Sequence, residues 1–95
     1  MGFSLKGTPQ VIINRALVIS GIIEQYVNIV GTITQNKDKK ITFNLNNNGK
    51  KKLIIIIDNP SWITYKIGRK KAEGVLLNRI NIIPLLEALN GVDDE

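Results

Sequence analysis

The sequence predicts a mainly β domain: a small, strongly bent antiparallel barrel with a short helix near each end. Three observations carry this expectation. Between Val27 and Ile57 three strand-like stretches, VNIVGTIT, ITFNL and LIIII, are separated by the polar runs QNKDKK and NNNGKKK. Apolar residues make up 43% of the chain and aromatics only 5%, so Ile, Val and Leu must build the core. Their branched side chains favour a pleated surface. At 95 residues the chain suits one domain with one core, spanning residues 1–95.

Residues 1–7 read as a loose lead-in, with Gly2 and Gly7 as breakers. Thr8 can cap a helix and Pro9 suits its first position, which predicts a short helix over residues 9–16. The β-branched residues there leave an early strand as the alternative. Residues 17–24 (LVISGIIE) read as the first strand, with Gly21 as the bulge or bend a small barrel needs to close. Gln25 and Tyr26 make a tight connection. In residues 27–34, Val27, Ile29, Gly31 and Ile33 alternate with Asn28, Val30, Thr32 and Thr34.

A charged turn at residues 35–40 leads to Ile41, Phe43 and Leu45, which alternate with Thr42 and Asn44. Asn48-Gly49 accepts positive φ and predicts a hairpin that pairs the flanking strands. Residues 53–57 lack alternation, which predicts burial on both faces, and Lys50, Lys51 and Lys52 guard the start of that sticky run. Residues 58–61 form a turn. Residues 62–67 alternate again, with Trp62, Thr64 and Lys66 on the polar side. A basic loop, or one helical turn, follows at residues 68–74. Residues 75–83 read as a last strand kinked at Asn78-Arg79, and Pro84 opens a short helix, LLEALN, ended by Gly91. Asp93, Asp94 and Glu95 form an acidic tail.

Charge is segmental. The net charge is +5 and the pI about 9.7. Residues 37–71 hold ten of the thirteen Lys and Arg against Asp38 and Asp58, a charge of +8; the rest of the chain carries −3. Concentrated positive charge attracts polyanions.

Histidine and cysteine are absent, which removes the usual general base, the thiol nucleophile and the commonest transition-metal ligands. Ser4, Ser20 and Ser61 read as surface or turn serines, and the carboxylates show no paired or metal-binding spacing. No catalytic residue, metal or cofactor is expected. Gly49-Lys50 lacks the flanking glycine and Ser/Thr of a phosphate-cradling loop. Without a signal-peptide pattern or an apolar run near the roughly 20 residues that span a bilayer, a cytoplasmic location away from membranes is expected.

Binding is the better-supported class. Basic turns beside a sheet can neutralise phosphates while an aromatic ring stacks on a base. The candidate phosphate contacts are Lys37, Lys39, Lys40, Lys50, Lys51 and Lys52, then Lys66, Arg69, Lys70 and Lys71. Arg79 and Trp62 are candidates for closer contact with bases; Trp62 could equally be an interface residue or a plug over a barrel end. Phe43 reads as core, and Tyr65 as core with its hydroxyl at the rim. The expected partner is RNA or single-stranded DNA. The alternative is a structural subunit that oligomerises or joins a larger complex through its apolar strand or C-terminal helix.

A helix followed by bent strands, with VNIVGTIT and GVLLNRINIIP in order, resembles the Sm-like family of Lsm and Hfq barrels. That resemblance implies an RNA-binding face made by the loop after Thr34 and the Asn78-Arg79 turn, and rings formed by strand pairing. Asn78-Arg79 stands where that family has Arg-Gly. The bent first strand, three-strand meander and helix resemble an OB-fold nearly as well.

Overall fold

The computed structural model describes residues 7–35, 40–49, 51–59, 61–76 and 78–90. Five strands and two helices follow in the order α1 (Gln10–Ile23), β1 (Ile29–Gln35), β2 (Ile41–Asn47), β3 (Lys52–Ile57), β4 (Trp62–Ile67), β5 (Glu73–Leu76) and α2 (Arg79–Asn90). The strands form a single antiparallel meander, β1-β2-β3-β4-β5. Among the described residues no pairing joins β1 to β5, so the sheet is open and the expected barrel closure is not seen.

Alternation decides which face is wet. Ile41, Phe43 and Leu45 on β2, Leu53, Ile55 and Ile57 on β3, and Ile63 on β4 point to one side and are buried. Register aligns them into rows, with Phe43 between Ile33 and Ile55 and Ile55 beside Tyr65. An apolar sheet face needs a cover. Helix α1 supplies Ile12, Ala16, Ile19 and Ile22, and α2 supplies Ile82, Leu86 and Leu89, all within the same core. Both helices pack on β2 and β3 and on each other. The opposite sheet face carries Thr32, Asn44 and Lys66, with Ile54 and Ile56 half-buried at its centre. The run 53–57, expected to be buried on both faces, is therefore fully buried on one and half-buried on the other.

Two elements differ from the sequence expectation. Residues 17–24, read as a strand, continue α1 to Ile23. The buried positions 12, 16, 19 and 22 recur at helical spacing, and burying that stripe outweighs the weak β preference of Ile and Val. Gly21 has nothing within 4 Å of a notional Cβ, so it marks neither a bulge nor a close approach. Thr8 does not cap α1; its hydroxyl accepts a hydrogen bond from Gln35 Nε2, and Pro9 caps without a side-chain bond.

The second difference is at residues 75–83. β5 ends at Leu76, and α2 begins at Arg79 with Pro84 inside it rather than at its start. The Asn78 side chain accepts from the Asn81 amide at 2.9 Å, a cap in place of the expected kink. Residues 1–6 of the expected 1–7 lead-in, the turn residues 36–39, Pro60 and the tail 91–95 lie outside the described residues. Among the described residues, no helix is long and apolar enough to cross a membrane.

Gly31 is a genuine close approach. It pairs with Leu45, and a β-carbon there would overlap Leu45 Cδ2. Two residues further along β2, Asn47 is a buried polar tie. Its Nδ2 donates to Leu89 O at 2.9 Å and to Asn90 O at 3.0 Å, satisfying carbonyls that the last turn of α2 leaves open. Replacing Asn47 with Ala should cost about 1–3 kcal/mol, the usual penalty for orphaning buried polar groups. Urea denaturation of both proteins measures this; an unchanged midpoint would show that the tie contributes nothing.

Candidate nucleic-acid interface

In a meander, alternate turns share an end. The β2–β3 and β4–β5 turns are therefore neighbours, while the β1–β2 and β3–β4 turns lie at the far end. The first turn forms where Asn48 and Gly49 adopt φ of 52° and 83°, with the Gly49 amide donating to Asn46 Oδ1 at 2.8 Å. Asn-Gly suits those angles, as expected from the sequence. The second turn starts at Gly68, φ 59°.

A backbone bond ties the second turn to the start of β3, at the foot of the first. The Gly68 amide donates to Lys52 O at 2.8 Å, extending the β3–β4 ladder beyond Leu53 and Ile67. The Lys51 stem runs along Gly68, its methylenes 3.6–3.7 Å from where a β-carbon would sit. Lys51 and Lys52 are thereby held beside Arg69, Lys70 and Lys71.

These five cations edge a groove of about 1210 Å³, with Lys52 at the start of β3 also bordering the open sheet face beside Ile54. Its interior has a different character. Tyr65 and Ile67 come from the helix-facing side of β4, Leu85 and Ala88 from α2, and Glu73 from β5. Because the helices pack on β2 and β3, the β4–β5 end projects past them, and the space between that hairpin and α2 is the groove. Lys52, Arg69, Lys70 and Lys71 are exposed, whereas Tyr65, Ile67 and Leu85 are half-buried. Charge thus sits at the mouth, over a partly apolar floor.

The remaining sequence candidates lie elsewhere. Lys40 stands just before β2, so the length of a seven-residue strand, about 20 Å, separates it from the groove. Lys66 is exposed on the open sheet face, in register with Ile54. Trp62, 48% exposed, pairs with Leu76 at the far end of β4 and does not reach the groove. Arg79 opens α2 at that same far end, since the Asn81 side chain bonds Leu76 O. Lys37, Lys39 and Lys50 lie outside the described residues. Among the described residues no cluster of carboxylates suits a metal ion.

Two groove residues were not among the sequence candidates. Tyr65 and Glu73 are cross-strand partners, and the Tyr65 hydroxyl donates to Glu73 Oε1 at 3.1 Å. Partial burial, then this hydrogen bond, then the charge of Glu73 raise the Tyr65 phenol above its ordinary value of 10.0. The signal in the sequence was period-2 alternation continued past the turn, which places Glu73 on the same face as Tyr65.

The raised value has a pH consequence. Folding favours the protonated phenol, so its contribution to stability is complete below pH 10 and lost as pH climbs through the raised value. Tyr65→Phe should therefore lower the urea midpoint near neutral pH, and the gap to the parent should close in alkaline solution. A gap that stays constant with pH would contradict this linkage.

No protein-family model, curated protein or solved structure matches this chain, so the interface rests on the chain's own residues.

Proposed function

We propose that this chain is a non-enzymatic nucleic-acid-binding module that takes RNA or single-stranded DNA at the groove between α2 and the β4–β5 hairpin. The observation that carries this reading is the Gly68–Lys52 backbone bond, which gathers two basic turns distant in sequence into one five-cation rim. Lysine and arginine in such a cluster bind phosphates by releasing condensed counterions, and no catalytic side chain is needed. The absence of histidine and cysteine from the chain fits binding rather than catalysis. The resemblance to Sm-like barrels carries no part of this reading: the sheet is open, and most of the NRINIIP run, expected as turn and strand, belongs to α2.

A second reading draws on the open sheet face. Val30, Trp62 and Leu76 are each about half exposed there, around the half-buried Ile54 and Ile56. Such a face suits a protein partner. The alternative of docking through the C-terminal helix has less to draw on, because Leu86 and Leu89 are spent on the chain's own core.

Fluorescence anisotropy with labelled single-stranded RNA, single-stranded DNA and duplex DNA across a salt series tests the first reading. Three to five single-strand phosphate contacts at about −0.7 each give a log–log salt slope between about −2 and −3.5. The double reversal Lys51→Glu with Lys70→Glu should lower affinity by about tenfold or more at moderate salt. Lys40→Glu, a charge change at the far end, should have a much smaller effect. Binding that persists unchanged to 0.5 M salt, or that responds equally to Lys40, would end the proposal.

A further inference from the structure

Five cations explain a rim for phosphates; they do not explain what lies beneath it. The floor offers a half-buried aromatic ring, Tyr65, with Ile67 and Leu85 beside it, and a carboxylate, Glu73. Phosphates have no use for such a floor. A flat, largely apolar group with polar edges does, and in a nucleic acid that group is the base. Bases in a duplex are stacked and paired inside the helix, so only an unpaired base can enter.

Glu73 narrows the choice further. Among the described residues it is the one acid lining the groove, set amid cations, where it weakens the attraction for any phosphate. Its Oε1 is engaged by the Tyr65 hydroxyl, which fixes the carboxylate and leaves Oε2 for a ligand. A carboxylate only accepts hydrogen bonds. Cytosine presents an exocyclic amino donor, which Glu and Asp are suited to read. Uracil and thymine present a carbonyl oxygen at that position and meet the carboxylate acceptor to acceptor.

Resting on the nucleic-acid reading above, we infer that the groove seats one unpaired base of a single strand against Tyr65, and that Glu73 selects an amino-bearing base such as cytosine over thymine or uracil. Tyr65 is then a stacking platform and a positioning residue for Glu73. Glu73 is the specificity residue.

The experiment compares labelled oligo-dC and oligo-dT of equal length by anisotropy, near neutral pH and at one salt concentration, on the parent protein and on Glu73→Gln. Glu73 is exposed, so the conservative change should leave the fold intact, which the urea midpoint checks. The expected result is a dC preference of at least about fivefold, the effect of one good base-edge contact. In Glu73→Gln that preference should collapse toward parity, and dT affinity should rise because a negative charge has left the groove. Equal binding of dC and dT by the parent, or a dC preference that survives Glu73→Gln, would overturn this inference while leaving the nucleic-acid reading standing. Tighter binding of duplex than of either strand would overturn this inference and the single-strand part of that reading together. Failure of the parent to bind either oligonucleotide at low salt would instead remove the nucleic-acid reading itself.

Discussion

An antiparallel sheet with one apolar face cannot stand in water alone, and the structure follows from meeting that constraint. The rows running through Phe43, Ile55 and Ile57 need a cover, and the cover comes from both ends of the chain. Helix α1 precedes the meander and α2 follows it, yet they meet over β2 and β3. The core therefore closes only when contacts between the first and last elements form. Asn47 secures the later of the two, binding the last carbonyls of α2 from the end of β2. A sheet edge would have served poorly for this, because central strands offer more apolar area and a more rigid backbone.

The same arrangement creates the groove. Two helices of 14 and 12 residues, centred on β2 and β3, do not cover a five-strand sheet completely. The part left open is the turn end of the β4–β5 hairpin, beyond the buried Ile63, where Tyr65, Ile67 and Glu73 line the groove. The turns at that end hold lysine and arginine, which keep the exposed apolar floor from becoming an adhesive surface. The packing and the groove are thus two consequences of one shortage of cover.

Much of the sheet was legible in the sequence, and the reasons are local. β2, β3 and β4 are two-faced or continuously apolar runs bounded by Asn, Gly and Lys, and their predicted limits fall within two residues of those observed. The Asn48-Gly49 hairpin was legible because few other residue pairs accept two positive φ values. Helix α1 was not fully legible, because Ile and Val dominate it and single-residue preference pointed to a strand; its i, i+3, i+4 stripe was the better guide. In α2 the apolar run 75–83 hid a boundary that Asn78 marks by capping. The basic turns were visible as composition, but their grouping required topology: a meander sets residues 51–52 beside 69–71 and sends Lys40 to the other end. Tyr65 was legible as a strand residue with its hydroxyl at the rim, but its partner was not: Glu73 falls in the stretch 68–74, which reads as loop, and only the β4–β5 pairing brings the two side by side.

Electrostatics ties the fold back to its proposed ligand. Five cations held around one groove repel one another, and the repulsion weakens the end of the sheet where the helices give least support. Glu73 relieves part of that repulsion in the free protein, and the Tyr65 hydroxyl holds it there. A bound polyanion would relieve the rest, so ligand binding and local stability at this end are linked quantities. The Gly68–Lys52 bond is where they would meet, because it holds the two basic turns side by side. On this view the β4–β5 hairpin is the part of the molecule best placed to tighten when ligand arrives. The β2–β3 core, already closed by both helices, has little left to gain.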